Sequence, residues 1–266
     1  MHPILFNLGN FKIYTYGFFV ALAFMTTIFY LSYSLKKSKE KLISHDELYS
    51  LFVYMVIFAI IGARSFFVFI NFRDFVLYPL DIFKIRNGGL VYYGGFISAV
   101  TFMFIYAYAK RKKIILFNLG DFFAPALALG HAIGRIGCFF AGCCYGKASN
   151  LPFAVMFTDK YSLAVRGVNL HPTQLYESIT NFLLFIFLHF YSKKNSKSKV
   201  PGVSLAIYLV SYAIARFIIE FFRDDCMGMY CFGFSISQII SIFLFIAGVL
   251  IIWKKKLYIK SSKERD

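Results

Sequence analysis

Seven long apolar segments recur along this chain, and their length is the feature that most restricts its fold. Each is close to the ~20 residues that an α-helix needs to cross a hydrocarbon core of ~30 Å. A helix also satisfies its backbone hydrogen bonds within one segment, as lipid requires. We therefore predict an all-α, polytopic membrane protein with about seven transmembrane helices, forming one membrane-embedded domain over 1–266. The predicted spans are 13–35, 48–70, 90–109, 122–140, 174–191, 202–222 and 235–253.

Basic residues between these spans are unevenly shared between the two sides of the membrane. The segments on one side carry 18 Lys and Arg, and those on the other side carry 8. Because loops rich in Lys and Arg stay in the cytoplasm, we predict an outside N-terminus and an inside C-terminus. The longest loops, 73–89 and 142–173, are then both external. The net charge of +16 reflects this orientation and the membrane lipids that it faces, so we expect no nucleic-acid partner.

Charged residues gather near the predicted outer ends of several spans. A charged side chain inside a bilayer costs at least ~2.5–3.5 kcal/mol, so it indicates pairing, a cavity or chemistry. Arg216 and Glu220 are spaced i,i+4 and Arg223 follows at i+7, so the three share one helix face. Arg135 and Arg64 from two other spans would add positive charge at the same depth. Excess arginine requires an anion, and its planar donors suit phosphate.

Structural explanations are open for several other residues in the spans. Glycine pairs often serve close helix packing. His131 can be a packing residue, and Glu177 and Arg223 can simply face water near the interface. Asp121 stands apart, near the inner end of its span. Tyrosines near helix ends can form an interfacial aromatic belt, and the tyrosines concerned are Tyr14, Tyr16, Tyr92 and Tyr176.

The order of motifs resembles the bacterial prolipoprotein diacylglyceryl transferase family over nearly the whole chain. The most specific stretch is 134–146, with a Gly-Arg-x-Gly-x-Phe start and a closing glycine. Supporting motifs are Gly-Gly-Leu-x-x-x-Gly-Gly at 88–95, His-Pro-x-Gln-Leu-Tyr-Glu at 171–177 and Arg-Phe-x-x-Glu-Phe-x-Arg at 216–223.

The resemblance implies a transferase of the bacterial cytoplasmic membrane, crossing it several times. Its expected substrates are phosphatidylglycerol and the lipobox cysteine that follows the signal peptide of a prolipoprotein. The diacylglyceryl group moves to the cysteine, a thioether forms and glycerol-1-phosphate leaves. No cofactor is implied.

The resemblance and the charges together suggest residue roles. Arg135 and Arg216 would hold the phosphate, and Glu220 would orient Arg216 or bind headgroup hydroxyls. Tyr93 stands where the best-known family form has a histidine. A phenol with an ordinary pKa near ~10 is a poor base at neutral pH, so the identity of the base stays open. The predicted catalytic residues are Arg135, Arg216, Glu220 and Tyr93. The predicted substrate-binding residues are Tyr16, Arg135, Arg216, Arg223, Gly94, Gly95, Gly137 and Gln238.

Five cysteines lie near the predicted outer face. An oxidising exterior would permit a disulfide between Cys226 and Cys231. A metal site that adds His131 or His171 to the remaining three cysteines is an alternative, although we predict no bound metal. Cys138 and Cys143 stand where the family signature commonly has Asn and Glu, so the roles of that Asn and Glu do not transfer to this chain. The three are Cys138, Cys143 and Cys144.

A transporter or lipid flippase is the main alternative function. Alternating access places polar groups near the bilayer midplane, often within repeated halves. Here the polar groups gather toward one face, and the sequence shows no internal repeat.

Overall fold

Helices account for most of the computed structural model, which describes residues 2–8, 11–37, 43–83, 89–109, 113–194, 200–224, 230–231 and 233–263. The α-helices are α1 (Thr15–Lys37), α2 (His45–Ile70), α3 (Phe72–Leu77), α4 (Tyr92–Ala109), α5 (Lys113–Ala141), α6 (Thr173–Lys194), α7 (Val203–Glu220) and α8 (Ile236–Lys263). A 3₁₀ helix spans Pro79–Phe83. Short strands pair as antiparallel hairpins, β1 (Ile4–Leu8) with β2 (Phe11–Tyr14), β3 (Val155–Met156) with β4 (Asn169–Leu170), and β5 (Tyr230–Cys231) with β6 (Phe234–Ser235).

Every predicted span coincides with a helix of the described chain. In the part of the chain that the structure describes, five helical segments are long and apolar enough to cross a membrane, and Gly94–Ala109 is a shorter apolar helix. The five are Thr15–Lys37, His45–Ile70, Leu116–Ala141, Val203–Glu220 and Ile236–Lys254. The prediction of a mostly helical, polytopic membrane protein is confirmed, whereas the count of seven spans and the side of each terminus stay predictions.

Some limits differ from those predicted, for local reasons. The first span was predicted to begin at 13, but residues 13–14 belong to β2, and α1 begins at Thr15. Pro125 lies inside α5 without ending it, and α5 already begins at Lys113. Large apolar side chains cover the helices, and Phe29, Phe69 and Tyr108 are 75%, 78% and 86% exposed. Such a surface is costly in water but suits hydrocarbon.

The chain divides into two compact units, Ser32–Leu119 and the combination of Met1–Leu31 with Gly120–Asp266. In the smaller unit α2 begins with a capping box, because Ser44 Oγ accepts from Glu47 N and Glu47 Oε2 accepts from Ser44 N, each at 3.1 Å. The same helix packs along α4. The prediction of one membrane-embedded domain stays a prediction.

Arg64 donates hydrogen bonds to backbone carbonyl groups within the smaller unit. Its Nε donates to Ile82 O at 2.9 Å, Nη1 to Gly89 O at 3.0 Å and Nη2 to Asp81 O at 2.6 Å. The guanidinium therefore binds carbonyl groups of the 3₁₀ helix and of Gly89, which is a structural use of the charge that we had counted toward an anion site.

In the larger unit α7 packs against α6 and α8. Asp121 on α5 caps the start of α7, because its carboxylate oxygens accept from Gly202 N at 2.7 Å and Leu205 N at 2.8 Å. These are amide groups that a helix start leaves without partners. The long segment after α5 has its own small core, in which Phe157 is fully buried with Ala164 and Leu170.

Candidate active site

Glu177 lies at the centre of a buried cluster of charges in the larger unit. Its side chain is only 2% exposed, and Oε2 lies 2.7 Å from Arg135 Nε. The other oxygen, Oε1, lies 3.3 Å from Arg223 Nη1 and 3.7 Å from Arg216 Nη1. One carboxylate from α6 thus pairs with arginines from α5, from α7 and from the turn after α7.

A second carboxylate, Glu220, completes this cluster from the last residue of α7. Glu220 Oε2 lies 2.5 Å from Arg216 Nη1 and 3.4 Å from Arg223 Nε. Its other oxygen accepts a hydrogen bond from Ser235 Oγ at 2.7 Å. Arg216 also donates from Nη2 to Ser237 Oγ at 2.9 Å. The predicted i,i+4 pair is therefore present, and it is anchored at the start of α8.

His131 lies one helical turn before Arg135 and joins the same cluster. Arg135 Nε donates to His131 Nε2 at 3.1 Å, and that nitrogen lies 3.6 Å from Glu177 Oε2. Because His131 Nε2 accepts from the guanidinium in this geometry, we count the imidazole as neutral in the balance of charges.

The balance of charge in this cluster favours an anion. Three guanidinium groups face two carboxylates, which leaves one formal positive charge in excess with His131 neutral. Water is largely excluded, since the arginine side chains are 9–16% exposed. Buried charges cost several kcal/mol each unless their partners are complete. A bound phosphate group would supply the missing negative charge.

The loop after α5 positions Arg223. Gly146 forms an isolated antiparallel bridge with Arg223, and Lys147 N donates to Phe222 O at 2.8 Å. A Cβ on Gly146 would lie 2.5 Å from Phe222 O, so only glycine allows this approach. The closing glycine of the 134–146 motif therefore links the end of α5 to the end of α7.

Three predicted binding residues have packing roles in the structure. A Cβ on Gly94 would lie 2.5 Å from Gly62 O, and one on Gly95 would lie 2.9 Å from Ala59 O. Both glycines thus allow α4 to approach α2 closely. A Cβ on Gly137 would lie 2.9 Å from Phe19 Cβ, so it plays the same part between α5 and α1. The packing explanation accounts for all three, and substrate binding by them stays a prediction.

The remaining predicted residues divide between exposed, capping and undescribed positions. Tyr16 is 46% exposed in the first turn of α1. Gln238 is buried and caps α8, because its Oε1 accepts from Ser235 N at 3.0 Å while Ser235 Oγ accepts from Gln238 N at 3.2 Å. Tyr93 lies in the first turn of α4, and its side chain is outside the described part of the chain.

Three cysteines lie beside the charge cluster. The Sγ atoms of Cys138, Cys143 and Cys144 are all within 4.8 Å of one another, and neither His131 nor His171 belongs to that described group. Hydrogen bonds from the Cys138 and Cys143 thiols lower the pKa of Cys144, which lies beyond the end of α5. The predicted Cys226–Cys231 disulfide falls on side chains outside the described residues.

Two residues of the cluster, Glu177 and His131, were not among the predicted site residues, because the sequence left open that the first faces water and that the second serves packing. A signal was present on α6, where polar residues repeat at i, i+3, i+4 and i+7 within an apolar helix. All four are buried: Gln174, Glu177, Ser178 and Asn181. Among the described residues, Gln174 Oε1, Glu177 Oε2 and Asn181 Oδ1 have no aligned hydrogen-bond donor.

Fold and site together define a helical membrane protein with a buried arginine–carboxylate cluster at the ends of its helices. A model of the prolipoprotein diacylglyceryl transferase family matches residues 3–254. The chain is 37% identical over 251 residues to the phosphatidylglycerol–prolipoprotein diacylglyceryl transferase of Clostridium tetani, which covers 94% of this chain and 96% of the relative. A Finegoldia magna relative of the same name is 35% identical over the full length of both chains.

The chain therefore belongs to the prolipoprotein diacylglyceryl transferase family, as the order of its motifs predicted. The family is a family of transferases, and the transporter or flippase alternative is not favoured.

Proposed function

We propose that this chain transfers the diacylglyceryl group of phosphatidylglycerol to the lipobox cysteine thiol of a prolipoprotein. The relatives are named for phosphatidylglycerol and prolipoprotein, and they match this chain over almost all of its length. The observation that carries the proposal is the meeting of Arg135, Arg216 and Arg223 around two carboxylates, with one positive charge in excess.

The proposed reaction is a direct displacement at a glyceryl carbon. The thiolate sulfur attacks the carbon that carries the phosphate ester, a C–S bond forms and the C–O bond breaks. The electron pair of that bond stays on the phosphate of the departing glycerol-1-phosphate. Negative charge therefore grows on phosphate oxygens, which is where fixed guanidinium donors stabilise the transition state.

Arg135 and Arg216 are the proposed phosphate ligands. Each is tied to a carboxylate, Arg135 to Glu177 and Arg216 to Glu220, so the donors are oriented before substrate arrives. Arg223 is proposed to face the headgroup. Gln174 Oε1 and Asn181 Oδ1 on α6, which have no aligned donor among the described residues, can receive hydrogen bonds from headgroup hydroxyls, a role that we first gave to Glu220. Tyr93 stays a predicted catalytic residue, and Tyr16, Gly94, Gly95, Gly137 and Gln238 stay predicted substrate-binding residues.

The proposed setting is the bacterial cytoplasmic membrane. Seven spans, an outside N-terminus and an inside C-terminus would place the charge cluster and the loops 73–89 and 142–173 toward the external side. A translocated signal peptide ends on that side, so its lipobox thiol and the lipid headgroup meet there.

Purified protein in detergent, given phosphatidylglycerol and a lipobox peptide, tests this function. We expect the peptide mass to rise by one diacylglyceryl group, measured by mass spectrometry. The matched control is the same peptide with serine in place of cysteine, which we expect to stay unmodified. A folded preparation that binds both substrates without any mass gain would contradict the proposal.

A further inference from the structure

The three cysteines form a cluster whose dimensions suit a metal ion. Their Sγ atoms lie within 4.8 Å of one another. A zinc ion with Zn–S bonds of ~2.3 Å in tetrahedral geometry needs sulfurs about 3.8 Å apart, so the sulfurs have to close by no more than about 1 Å. Thiolate ligands select soft or borderline ions such as zinc over calcium or magnesium.

The backbone holds these sulfurs in place. Thr173 Oγ1 donates to Cys144 O and Gln174 Nε2 donates to Cys143 O, both at 2.7 Å. Cys144 has a φ of 61°, a left-handed conformation that costs a non-glycine residue on the order of 1–3 kcal/mol. Glycine would avoid this strain, so the cysteine at this position indicates that its side chain has a role.

Charge around the cluster is complementary to a metal thiolate centre. Three thiolates and a divalent ion carry a net charge of −1. Arg135 Nη1 lies 4.0 Å from Cys138 Sγ, so a guanidinium group faces the sulfurs from the side of the charge cluster. The cysteines are only half-buried, so a tetrahedral ion held by three sulfurs has a fourth position that an incoming ligand can reach.

We propose that Cys138, Cys143 and Cys144 bind a zinc-type divalent ion whose open fourth position takes the thiol of the peptide substrate. This inference rests on the proposed function. It also revises our sequence prediction of no metal.

The ion gives the substrate thiol a way to lose its proton. A thiol that coordinates zinc loses its proton outright, here to water. Among the nearby bases, His131 Nε2 already accepts from Arg135, and an ordinary tyrosine phenol is too weakly acidic to serve at neutral pH. The metal-bound thiolate then attacks the glyceryl carbon while the phosphate stays with Arg135 and Arg216. The thioether product is neutral and a weak ligand, so the fourth position reopens.

Cobalt replaces zinc as a coloured probe for this site. Reduced, metal-free full-length protein in detergent receives one equivalent of Co²⁺. We expect a thiolate-to-cobalt charge-transfer band with the visible bands of tetrahedral cobalt, saturating at one ion per chain. A lipobox peptide with cysteine should strengthen the charge-transfer band by about one third, since a fourth thiolate joins three. The serine peptide should leave it unchanged.

Variants assign the ligands. Cys138→Ser and Cys144→Ser should each weaken cobalt binding at least tenfold. The double variant Cys226→Ser/Cys231→Ser is the matched control and should keep the band. No thiolate band in the unaltered protein, an equal band in Cys138→Ser, or no response to the cysteine peptide would each overturn the inference.

Activity separates this inference from the function on which it rests. Removing the metal should lower transfer at least about 100-fold, the scale of losing proton-transfer catalysis. Full transfer by metal-free protein would refute the metal site while the transferase function stands. A cobalt centre that responds to the cysteine peptide, without any thioether product from phosphatidylglycerol, would uphold the site and refute the transferase function.

Discussion

Glu177 shows how a single residue can organise the site. Its position near the start of α6 left open a carboxylate near the interface that faces water. The structure instead buries it at 2% exposure, within 2.7–3.7 Å of three guanidinium groups. A buried carboxylate is stable only with such partners, because desolvation of an unpaired charge costs several kcal/mol.

Replacing Arg135 or Arg216 with alanine should lower transfer by about 10²–10³-fold each, as loss of a transition-state donor does. Steady-state kinetics with phosphatidylglycerol and the lipobox peptide measure this effect. Arg135→Lys keeps the charge but loses the planar arrangement of donors, so its rate should lie between those of the unaltered protein and of Arg135→Ala. Arg73→Ala, at an exposed arginine of α3, is the control and should keep full activity. Wild-type rates in both alanine variants would mean that the phosphate ligands lie elsewhere.

Glu177→Gln should destabilise the protein by about 3–5 kcal/mol, the scale of breaking a buried ion pair. The substitution leaves three guanidinium groups with Glu220 as their one described carboxylate, so repulsion rises while shape is kept. Thermal unfolding in detergent should show a lower Tm than in Asp74→Asn, which changes an exposed carboxylate in the same way. An unchanged Tm would show that Glu177 has little share in holding the arginines.

At the scale of helices, the glycines allow neighbouring helices to pack closely. Gly94 and Gly95 on α4 lie against backbone carbonyls of α2, and Gly137 on α5 lies against Phe19 of α1. Small residues let membrane helices approach closely, and each contact here is with backbone or a Cβ, which cannot move aside as a flexible side chain can. The glycines that we predicted to bind substrate therefore lie at helix interfaces, the alternative that the sequence left open.

Gly94→Ala should destabilise the protein by about 1–3 kcal/mol, because the new methyl would lie 2.5 Å from Gly62 O. The matched control is Gly134→Ala, where a Cβ meets nothing within 4 Å. Alanine there should be neutral or stabilising by about 0.5–1 kcal/mol, since it is the better helix former. Thermal unfolding should give a lower Tm for Gly94→Ala than for Gly134→Ala. Equal Tm values would argue against the packing role of Gly94.

At the scale of the whole molecule, orientation is the main prediction left open. Reporter fusions test it, with a fluorescent protein that matures only in the cytoplasm and an enzyme that is active only outside. We expect cytoplasmic signals for fusions in the Lys-rich segment 36–41 and at the C-terminus, and external signals in 73–89 and 142–173. The reverse pattern would place the charge cluster on the cytoplasmic side, away from a translocated lipobox.

The amino-acid sequence by itself determined the helices, the membrane class and the family. A single apolar run of ~20 residues in lipid can satisfy its backbone hydrogen bonds within itself only as a helix, whatever its neighbours are. The Arg216–Glu220 pair was also predictable, because i,i+4 spacing within one helix is local geometry.

Only the tertiary structure decided which faces of different helices meet. Glu177 and His131 reach the arginines through the rotation of α5 and α6 against α7. The cysteine sulfurs converge because α5 ends at Ala141 and the chain continues with Gly142 and Cys144 in left-handed conformations. Rotation about a helix axis and the path of an irregular loop depend on packing between distant segments, and this is why the site itself emerged from the folded chain.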